Sequence, residues 1–368
     1  MNKTQKAILI AVIAIVIGII LLIAAVFAVG GPVRLLDRTL DRFSSHEQVE
    51  NVEQIAQSGE LRGQELKPGD QLQLAGFSEV ELNGLVCDVD ICSATGPDFS
   101  IGLDGFTYDT ALQGQYLLIC RGKDDQRYSV TEADGKLTIT GQGVDRKLSV
   151  SKLRDLILNN SRRLVLLVPE DWDGKVTVKA AAGDVDLTDI EVAAADIDLM
   201  AGDLDLTDVA AQGDIIVKLS AGDLDLTDVA CGELDVNTDL GDVDLTNVAC
   251  GDLYLNLNAG DLDFTDVACG ALDISMNAGD LDLTDVACGK LQVKLDAGDL
   301  EFSGLAPDSA DIYCRLGDVH GSLKGGPQDY RVDCQVSMGD CHAEDSGSGS
   351  RPVSIQVDMG NIDLNYSR

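Results

Sequence analysis

The feature that most constrains this chain is an internal repeat in its second half. Gly-Asp pairs recur there in phase, with a nearly constant period of about 19 residues. These pairs begin at Gly183, Gly202, Gly222, Gly241, Gly260, Gly279, Gly298 and Gly317. Self-similarity at such a fixed period is typical of architectures in which identical units stack and share one core.

Each unit has the polarity pattern of two short β-strands. Between Gly260 and Ala278, apolar residues alternate with polar ones, and turn residues stand at Thr265-Asp266 and Gly270. One such coil cannot bury its apolar face alone, but coils stacked about 4.8 Å apart enclose a continuous core. The sequence therefore predicts an all-β fold, a parallel β-solenoid (β-helix-like) with about 19-residue coils.

The N-terminal segment predicts one transmembrane helix. Residues 7–31 contain no charged side chain, and about 20 apolar residues span a bilayer. A cleavable signal peptide is the alternative, but the apolar stretch is longer than the usual h-region of about 7 to 15 residues. We expect a single-pass cell-membrane protein with a cytoplasmic N-terminus and an extracytoplasmic solenoid.

Changes in periodicity divide the rest of the chain. Apolar residues at three- and four-residue spacings in 32–70 predict a juxtamembrane helix or stalk, and 150–161 fits an exposed polar helix. The steps from Gly317 to Gly339 and on to Gly360 are longer than those before them, which predicts irregular capping coils. The predicted segments are a tail at 1–6, the membrane helix at 7–31, the stalk at 32–70, an irregular β part at 71–182, regular repeats at 183–306, and C-terminal coils with a cap at 307–368.

The charge balance excludes some classes of partner. The formal net charge is −36, which disfavours nucleic acid because phosphate binding needs clustered Lys and Arg. Disorder is equally disfavoured, since 45% of the residues are hydrophobic. Between residues 183 and 306 there are 29 acidic side chains against three lysines. The acidity is therefore concentrated in the regular repeats.

Stacking converts repeated Asp positions into columns. Repulsion between such neighbours must be offset, and one reading is a row of calcium sites, since Ca²⁺ prefers several carboxylate oxygens. The other reading is a solvated face whose Asp residues serve turns and discourage aggregation. The calcium candidates are Asp203, Asp223, Asp242, Asp261, Asp280 and Asp299 in one column, and Asp205, Asp225, Asp244, Asp263 and Asp282 in the next. Asp208, Asp228, Asp266 and Asp285 form a third column, interrupted by Asn247.

Four of the ten cysteines also repeat in phase. Cys231, Cys250, Cys269 and Cys288 share the position of Val192 and Ala211, which predicts inward-pointing free thiols. Parallel side chains on neighbouring strands have poor geometry for a disulfide, and a linear row of sulfurs is a poor tetrahedral zinc site. Some of the other six could pair outside the membrane, with a connectivity that the spacing leaves open.

The sequence gives little support for catalysis. The three histidines stand in no HExxH pattern, and the chain has no nucleophile elbow, Walker loop or dinucleotide glycine pattern. We therefore expect a protein that is not an enzyme and has no cofactor other than, in the calcium reading, Ca²⁺. A β-helix enzyme acting on polysaccharides through paired carboxylates is the remaining enzymatic alternative, although its site should break the uniform repeat.

Three stretches carry a resemblance to a known family. They are Asp134–Thr140, then Leu164–Pro169, and then Val176–Val178 running into 182–187. Over about Gln71 to Arg368 the chain resembles the bacterial "putative adhesin" family, a β-solenoid domain of unknown function. The resemblance implies a membrane-anchored envelope protein without established enzymatic activity.

These observations together predict a structural or interaction module at the cell envelope, attached to the membrane through residues 7–31. Its partner would be another envelope protein or a surface glycan. A calcium-dependent binding or sensing module is the alternative function.

Overall fold

In a computed structural model, the chain is described over residues 61–67, 70–93, 116–121, 127–142, 163–343 and 347–367. These residues belong to one compact unit that takes in 51–96 and 109–368. The described part consists of β-strands and turns and contains no helix. No helix long and apolar enough to cross a membrane is found within the described ranges. The predicted membrane helix at 7–31 and the polar helix at 150–161 lie outside them.

The strands are numbered in chain order. The first eight are β1 (Leu61–Leu66), β2 (Gln71–Gln73), β3 (Glu79–Val86), β4 (Asp88–Ser93), β5 (Leu117–Arg121), β6 (Arg127–Ala133), β7 (Lys136–Gln142) and β8 (Arg163–Val168). The next nine are β9 (Lys175–Ala182), β10 (Val185–Val192), β11 (Ala194–Leu199), β12 (Leu204–Ala211), β13 (Ile215–Leu219), β14 (Leu224–Leu240), β15 (Val243–Ala259), β16 (Leu262–Thr265) and β17 (Ala268–Met276). The last eight are β18 (Leu281–Thr284), β19 (Ala287–Leu295), β20 (Leu300–Leu316), β21 (Val319–Lys324), β22 (Tyr330–Met338), β23 (Cys341–Ala343), β24 (Arg351–Met359) and β25 (Ile362–Ser367).

Each coil contributes one strand to each of two facing parallel sheets. The acidic sheet runs β8, β4, β10, β12, β14, β15, β16, β18, β20, β21, β25, β23 in space. The amide sheet runs β7, β3, β9, β11, β13, β14, β15, β17, β19, β20, β24, β22. Strands β14, β15 and β20 are 17 residues long and pass round a corner from one sheet into the other. The predicted all-β parallel β-solenoid is thereby confirmed.

The core is a stack of inward-facing columns. One column joins Leu226, Leu245, Phe264, Leu283 and Phe302 on successive coils, and all five side chains are buried. Outward neighbours on the same strands are polar, because successive residues of a strand point to opposite faces. Burying these columns therefore requires neighbouring coils, as the repeat predicts.

Chain order and spatial order differ at both ends of the stack. Coil β7–β8 lies outside coil β3–β4, and the antiparallel strands β1, β6, β2 and β5 add to this end. At the other end, β24 and β25 lie between the coil of β20–β21 and the coil of β22–β23. The terminal coil is thus 330–343 rather than the chain's last residues.

One boundary of the predicted segments needs correction. The range 32–70 was predicted as a helix or stalk, but its end, Leu61–Leu66, is strand β1 and pairs antiparallel with β6. Leu66 is buried in the core, so tertiary pairing overrides the local helical spacing. The rest of that range up to residue 60 lies outside the described residues.

The Gly-Asp turns bring the backbones of successive coils close together. At Gly260 φ is 145°, and a Cβ added there would lie 2.0 Å from the carbonyl oxygen of Gly241. Only glycine fits a position that combines this dihedral with such an approach. The glycine column that defines the repeat is therefore a requirement of close coil stacking.

Candidate functional site

The aspartates after the glycines form a ladder of hydrogen bonds from coil to coil, here named the turn ladder. The Oδ1 atom of Asp242 accepts from the backbone N–H of Asp261 at 2.9 Å, and Asp261 accepts from Asp280 at 2.8 Å. The same bond links every successive pair among Asp184, Asp203, Asp223, Asp242, Asp261, Asp280, Asp299 and Asp318, with N···O distances between 2.8 and 3.0 Å. Each carboxylate thus satisfies a backbone donor that the turn leaves without a strand partner.

The second predicted Asp column forms the face ladder on the outer surface of the acidic sheet. Its rungs stand in register as Asp90, Asp186, Asp205, Asp225, Asp244, Asp263 and Asp282. Asp205 stands directly opposite Asp186 on one neighbouring coil and Asp225 on the other. Like charges in register on neighbouring strands repel each other. The face ladder is therefore a closely spaced row of carboxyl groups.

The electrostatics of the face ladder follow from partial burial and like-charged neighbours. Burial, then the adjacent Asp90, raises the pKa of Asp186 to about 7. Burial, followed by carboxylates of adjoining rungs, raises the pKa of Asp205 to about 6 and that of Asp244 to about 6. At the end of this column Arg163 Nε lies 3.5 Å from Asp90 Oδ2. A proton or a cation bound along the ladder would relieve the repulsion.

The third column occupies a corner that requires left-handed backbone. Asp266 has φ of 56°, and Asn247, which interrupts the run of Asp, has φ of 54°. Asn and Asp adopt this conformation more readily than other non-glycine residues. The positive-φ column comprises Asp189, Asp208, Asp228, Asn247, Asp266, Asp285 and Gly304. Backbone conformation thus accounts for both the Asp residues and their replacement by Asn.

The calcium candidates therefore fall into two kinds of environment. Those of the turn ladder have one oxygen that accepts from a backbone N–H, whereas those of the face ladder stand opposite one another on neighbouring strands. Within the described part of the chain, no group of three or more His, Cys, Asp or Glu side chains is arranged to hold a metal ion. The structure brings carboxylates together in rows along the solenoid.

The opposite sheet carries a feature that the sequence analysis missed, a groove lined by amides. Asn256 Nδ2 donates to Asn237 Oδ1 at 3.2 Å, and the parallel row links Asn277, Asn258 and Asp239 through bonds of 2.7 Å. Between these rows lies a groove of about 300 Å³, here named the amide groove. Its lining comprises Lys218, Leu219, Ser220, Asn237, Thr238, Asp239, Asn256, Leu257, Asn258, Ser275 and Asn277. The Asn positions recur one repeat apart, and this recurrence was the signal in the sequence.

Thr238 is the unusual residue of this groove. It occupies an inward position between Leu219 and Leu257, and its side chain is 3% exposed. Its hydroxyl has no hydrogen-bond partner among the described residues. A buried polar group without a partner costs stability, so this position is an exception to the apolar column.

The cysteine column is in register, as predicted, with Cys231 opposite Cys250 and Cys269 opposite Cys288. Cys288 is buried, whereas the other three are half-buried and pack against the core. The inward position therefore buries one of the four thiols. The column lies at a corner, where solvent reaches the three half-buried thiols. Burial raises the pKa of Cys288 to about 11.

The structure also brings together two histidines that are separate in the sequence. His320 Nδ1 lies 3.4 Å from Asp363 Oδ2, and His342 Nδ1 lies 3.5 Å from Asp363 Oδ1. All three side chains are substantially exposed and continue the line of the face ladder. The contact arises because β25 lies between β21 and β23 in space, although it follows both in the chain. The spacing of the histidines along the sequence therefore does not predict that they share Asp363.

Comparison with known proteins finds one matching family. The family described as Toastrack DUF4097 matches residues 111–213 and 211–365. No curated protein matches this chain.

Three solved structures show similarity at low identity. A "putative adhesin" from Bacteroides fragilis is 11% identical, with a TM-score of 0.33, over 83% of this chain and 97% of that one. A "putative lipid binding protein" from Parabacteroides distasonis is 12% identical, with a TM-score of 0.37, over 84% and 98%. A "putative cell adhesion protein" from Clostridium sporogenes is 11% identical, with a TM-score of 0.17, over 83% and 100%.

Proposed function

This chain belongs to the Toastrack DUF4097 family, and from that premise we propose that it is a non-catalytic interaction module of the cell envelope. The observation that supports the proposal is the amide groove. The groove interrupts an acidic solenoid with neutral hydrogen-bonding groups. A surface that differs so much from its surroundings is the best candidate for a contact with a ligand.

The chemistry of the groove favours a surface glycan over a protein partner. Its outward side chains are amides, hydroxyls, one lysine and one carboxylate, which donate and accept hydrogen bonds as sugar hydroxyls and acetamido groups do. Protein interfaces depend instead on aromatic and apolar anchors. Tyr254, two residues before Asn256 on the outer face of β15, adds one aromatic ring. Neutral glycan is therefore the proposed ligand.

The groove also has the form of a linear binding site. Its two rows run across successive coils, with a rise of about 4.8 Å for each coil. Each of the four amides donates one N–H to a neighbouring side chain, and the Oδ1 atoms of Asn237 and Asn258 also accept one hydrogen bond each. The second N–H of each amide is left for a ligand, and the row holds these groups in fixed orientation. Preorganised donors lose little entropy on binding.

Titration of the purified full chain with N-acetylchitooligosaccharides and with dextran tests this proposal. Replacing both Asn256 and Asn258 with Asp keeps the side-chain shape but removes donors and adds negative charge, so affinity should fall at least about tenfold. Asp263→Asn on the acidic sheet is the matched control and should bind as the parent does. Failure of the parent chain to bind either glycan, or equal binding by the double variant, would contradict the proposal.

The envelope location belongs to the same proposal and is supported by the apolar segment 7–31. We propose that this segment anchors the chain and that the solenoid lies outside the cell. Protease added to intact cells should then remove the chain beyond about Arg42. Digestion that begins only after lysis would place the solenoid in the cytoplasm instead.

Calcium binding is the second candidate function, favoured by the close register of the carboxyl groups of the face ladder. A divalent cation would offset the repulsion between Asp225, Asp244 and neighbouring rungs. Binding to the folded state alone stabilises it by about 2.7 kcal/mol at 100 Kd of calcium. Thermal unfolding at a constant ionic strength of about 0.15 M, in chelator and then in calcium, measures this effect.

Variants separate the two ladders in that measurement. Replacing Asp225, Asp244 and Asp263 with Asn removes adjacent face rungs, and replacing Asp242, Asp261 and Asp280 with Asn removes adjacent turn rungs. The set that abolishes the calcium shift identifies the ladder that binds. A parent protein whose unfolding temperature is unchanged by calcium at matched ionic strength would eliminate this candidate.

A further inference from the structure

The terminal coil of the solenoid carries two cysteines at inward positions of opposite sheets. Cys334 on β22 stands opposite Ile355 of the neighbouring coil, which stands opposite Ile312. Cys341 on β23 stands opposite Ile362, which stands opposite Val319. The four aliphatic residues are buried, so both cysteines replace core residues whose side chains face each other across the coil.

The two thiols are neighbours at the end of the stack. Burial, followed by the neighbouring Cys341, raises the pKa of Cys334 to about 12. Cys334 is half-buried and Cys341 is exposed, because the described residues place nothing on the outer side of this coil. Strand β22 is paired, within the described ranges, only with β24. The thiols therefore stand at an open end of the stack.

We propose that Cys334 and Cys341 form an intramolecular disulfide that closes the terminal coil. The bond would join the two sheets across the interior at the point where the coil lacks an outer neighbour. It would hold the edge strand β22 in place. An edge strand without such protection is open to pairing with another chain. The disulfide is independent of the identity of any ligand, and it differs from the cysteine column, whose members lie side by side on adjacent coils.

The oxidant is a small-molecule disulfide such as oxidised glutathione. The exposed Cys341 thiolate attacks one sulfur of that disulfide and releases one small thiol, which leaves a mixed disulfide on the protein. The Cys334 thiolate then attacks the Cys341 sulfur and expels the second small thiol. The protein loses two electrons and two protons, and both are recovered in the two released thiols.

Peptide mapping of the full chain tests the bond directly. The protein is incubated in a buffer of oxidised and reduced glutathione, quenched with acid, alkylated and digested without reduction. Cleavage before Asp340 separates Cys334 from Cys341, so the two fragments should stay joined until a reductant is added. Cys231 and Cys250, which stand opposite each other on neighbouring coils, should be recovered as alkylated thiols because their side chains run parallel.

Hydrogen exchange gives a second readout that a chemical artefact would not produce. Amides of 330–343 should exchange at least about tenfold more slowly in the oxidised protein. Cys341→Ser should abolish both the link and this protection, whereas the matched control Cys250→Ser should retain both. Recovery of Cys341 as a stable glutathione adduct, a covalent dimer through Cys341, or unlinked Cys334 in the oxidised parent would overturn the proposal.

Discussion

The two sheets of the solenoid obey different rules, although the same coils build both. On the acidic sheet, Asp225, Asp244, Asp263 and Asp282 repeat without change along the face ladder. On the amide sheet, the corresponding outward column varies and reads Lys218, Asn237, Asn256, Ser275 and Lys294. All three lysines of residues 183–306 lie on the amide sheet.

The difference shows where backbone geometry restricts the side chain. The turn before each strand of the acidic sheet needs glycine and an Asp acceptor, and the corner after that strand needs a left-handed residue, so three columns cannot vary freely. Strands of the amide sheet make ordinary parallel pairings that place few demands on outward side chains. Variation is therefore tolerated on the amide sheet, and we expect ligand specificity to arise there.

The largest expected effect comes from the glycine that leads into the acidic sheet. Gly260→Ala places a Cβ at 2.0 Å from the Gly241 oxygen at φ of 145°, and should cost about 3 kcal/mol or more. Gly270→Ala, at the corner that leads into the amide sheet, has a nearest contact of 2.6 Å without a positive φ, so its cost should be clearly smaller. Urea unfolding of both variants measures the difference. Equal losses would show that the two corners are equally constrained.

The second effect is a pH dependence confined to the face ladder. The raised pKa values of Asp205 and Asp244, both about 6, mean that the folded protein binds protons which the unfolded chain, with pKa near 3.9, has released. This contribution to stability is present below pH about 4 and is lost as the pH rises through about 6.

Replacing both aspartates with Asn should therefore stabilise the protein at pH about 7.5, by about 2 kcal/mol after allowance for solvent screening. The gain should shrink towards pH about 4. Thermal unfolding at several pH values measures this gain in stability. Asn237→Asp, which adds a carboxylate on the amide sheet where the double variant removes two from the acidic sheet, is the control. A gain that does not vary with pH would show that the face ladder is fully ionised in the folded state.

The turn ladder should respond to loss of an acceptor and not to loss of charge. Asp261→Ala leaves the N–H of Asp280 without its 2.8 Å partner and should cost about 1–2 kcal/mol. Asp261→Asn keeps an acceptor and should be within about 0.5 kcal/mol of the parent. The chain already uses this solution, since Asn361 Oδ1 accepts from the N–H of Asp340 at 3.1 Å. Equal losses for both variants, measured by urea unfolding, would contradict this role.

How much of this could be predicted from sequence depends on what each residue contacts. The regular phase of the glycines predicts the coil, the strand register and the Asp columns, because stacking preserves position. It does not predict the exchange of the last two coils, since the longer steps to Gly339 and Gly360 say nothing about spatial order. The Asp residues look alike in sequence, whereas their roles depend on whether a turn N–H, another carboxyl or a corner dihedral is adjacent. The turn residues at Thr265-Asp266 and the replacement of Asp by Asn247 in the third column were the signs of the corner.

The smallest effect concerns Thr238, a polar residue in the core of the amide sheet whose hydroxyl has no partner in the described part of the chain. Thr238→Val removes a buried hydroxyl and keeps the shape, so it should stabilise the protein by about 1 kcal/mol. Thermal unfolding measures the gain, and Thr227→Val, at an outward position of the acidic sheet, should change stability by less than about 0.5 kcal/mol. If Thr238→Val is less stable than the parent, the hydroxyl has a hydrogen-bond partner in solution. Thr238 would then not be a buried polar group without a partner in this apolar column.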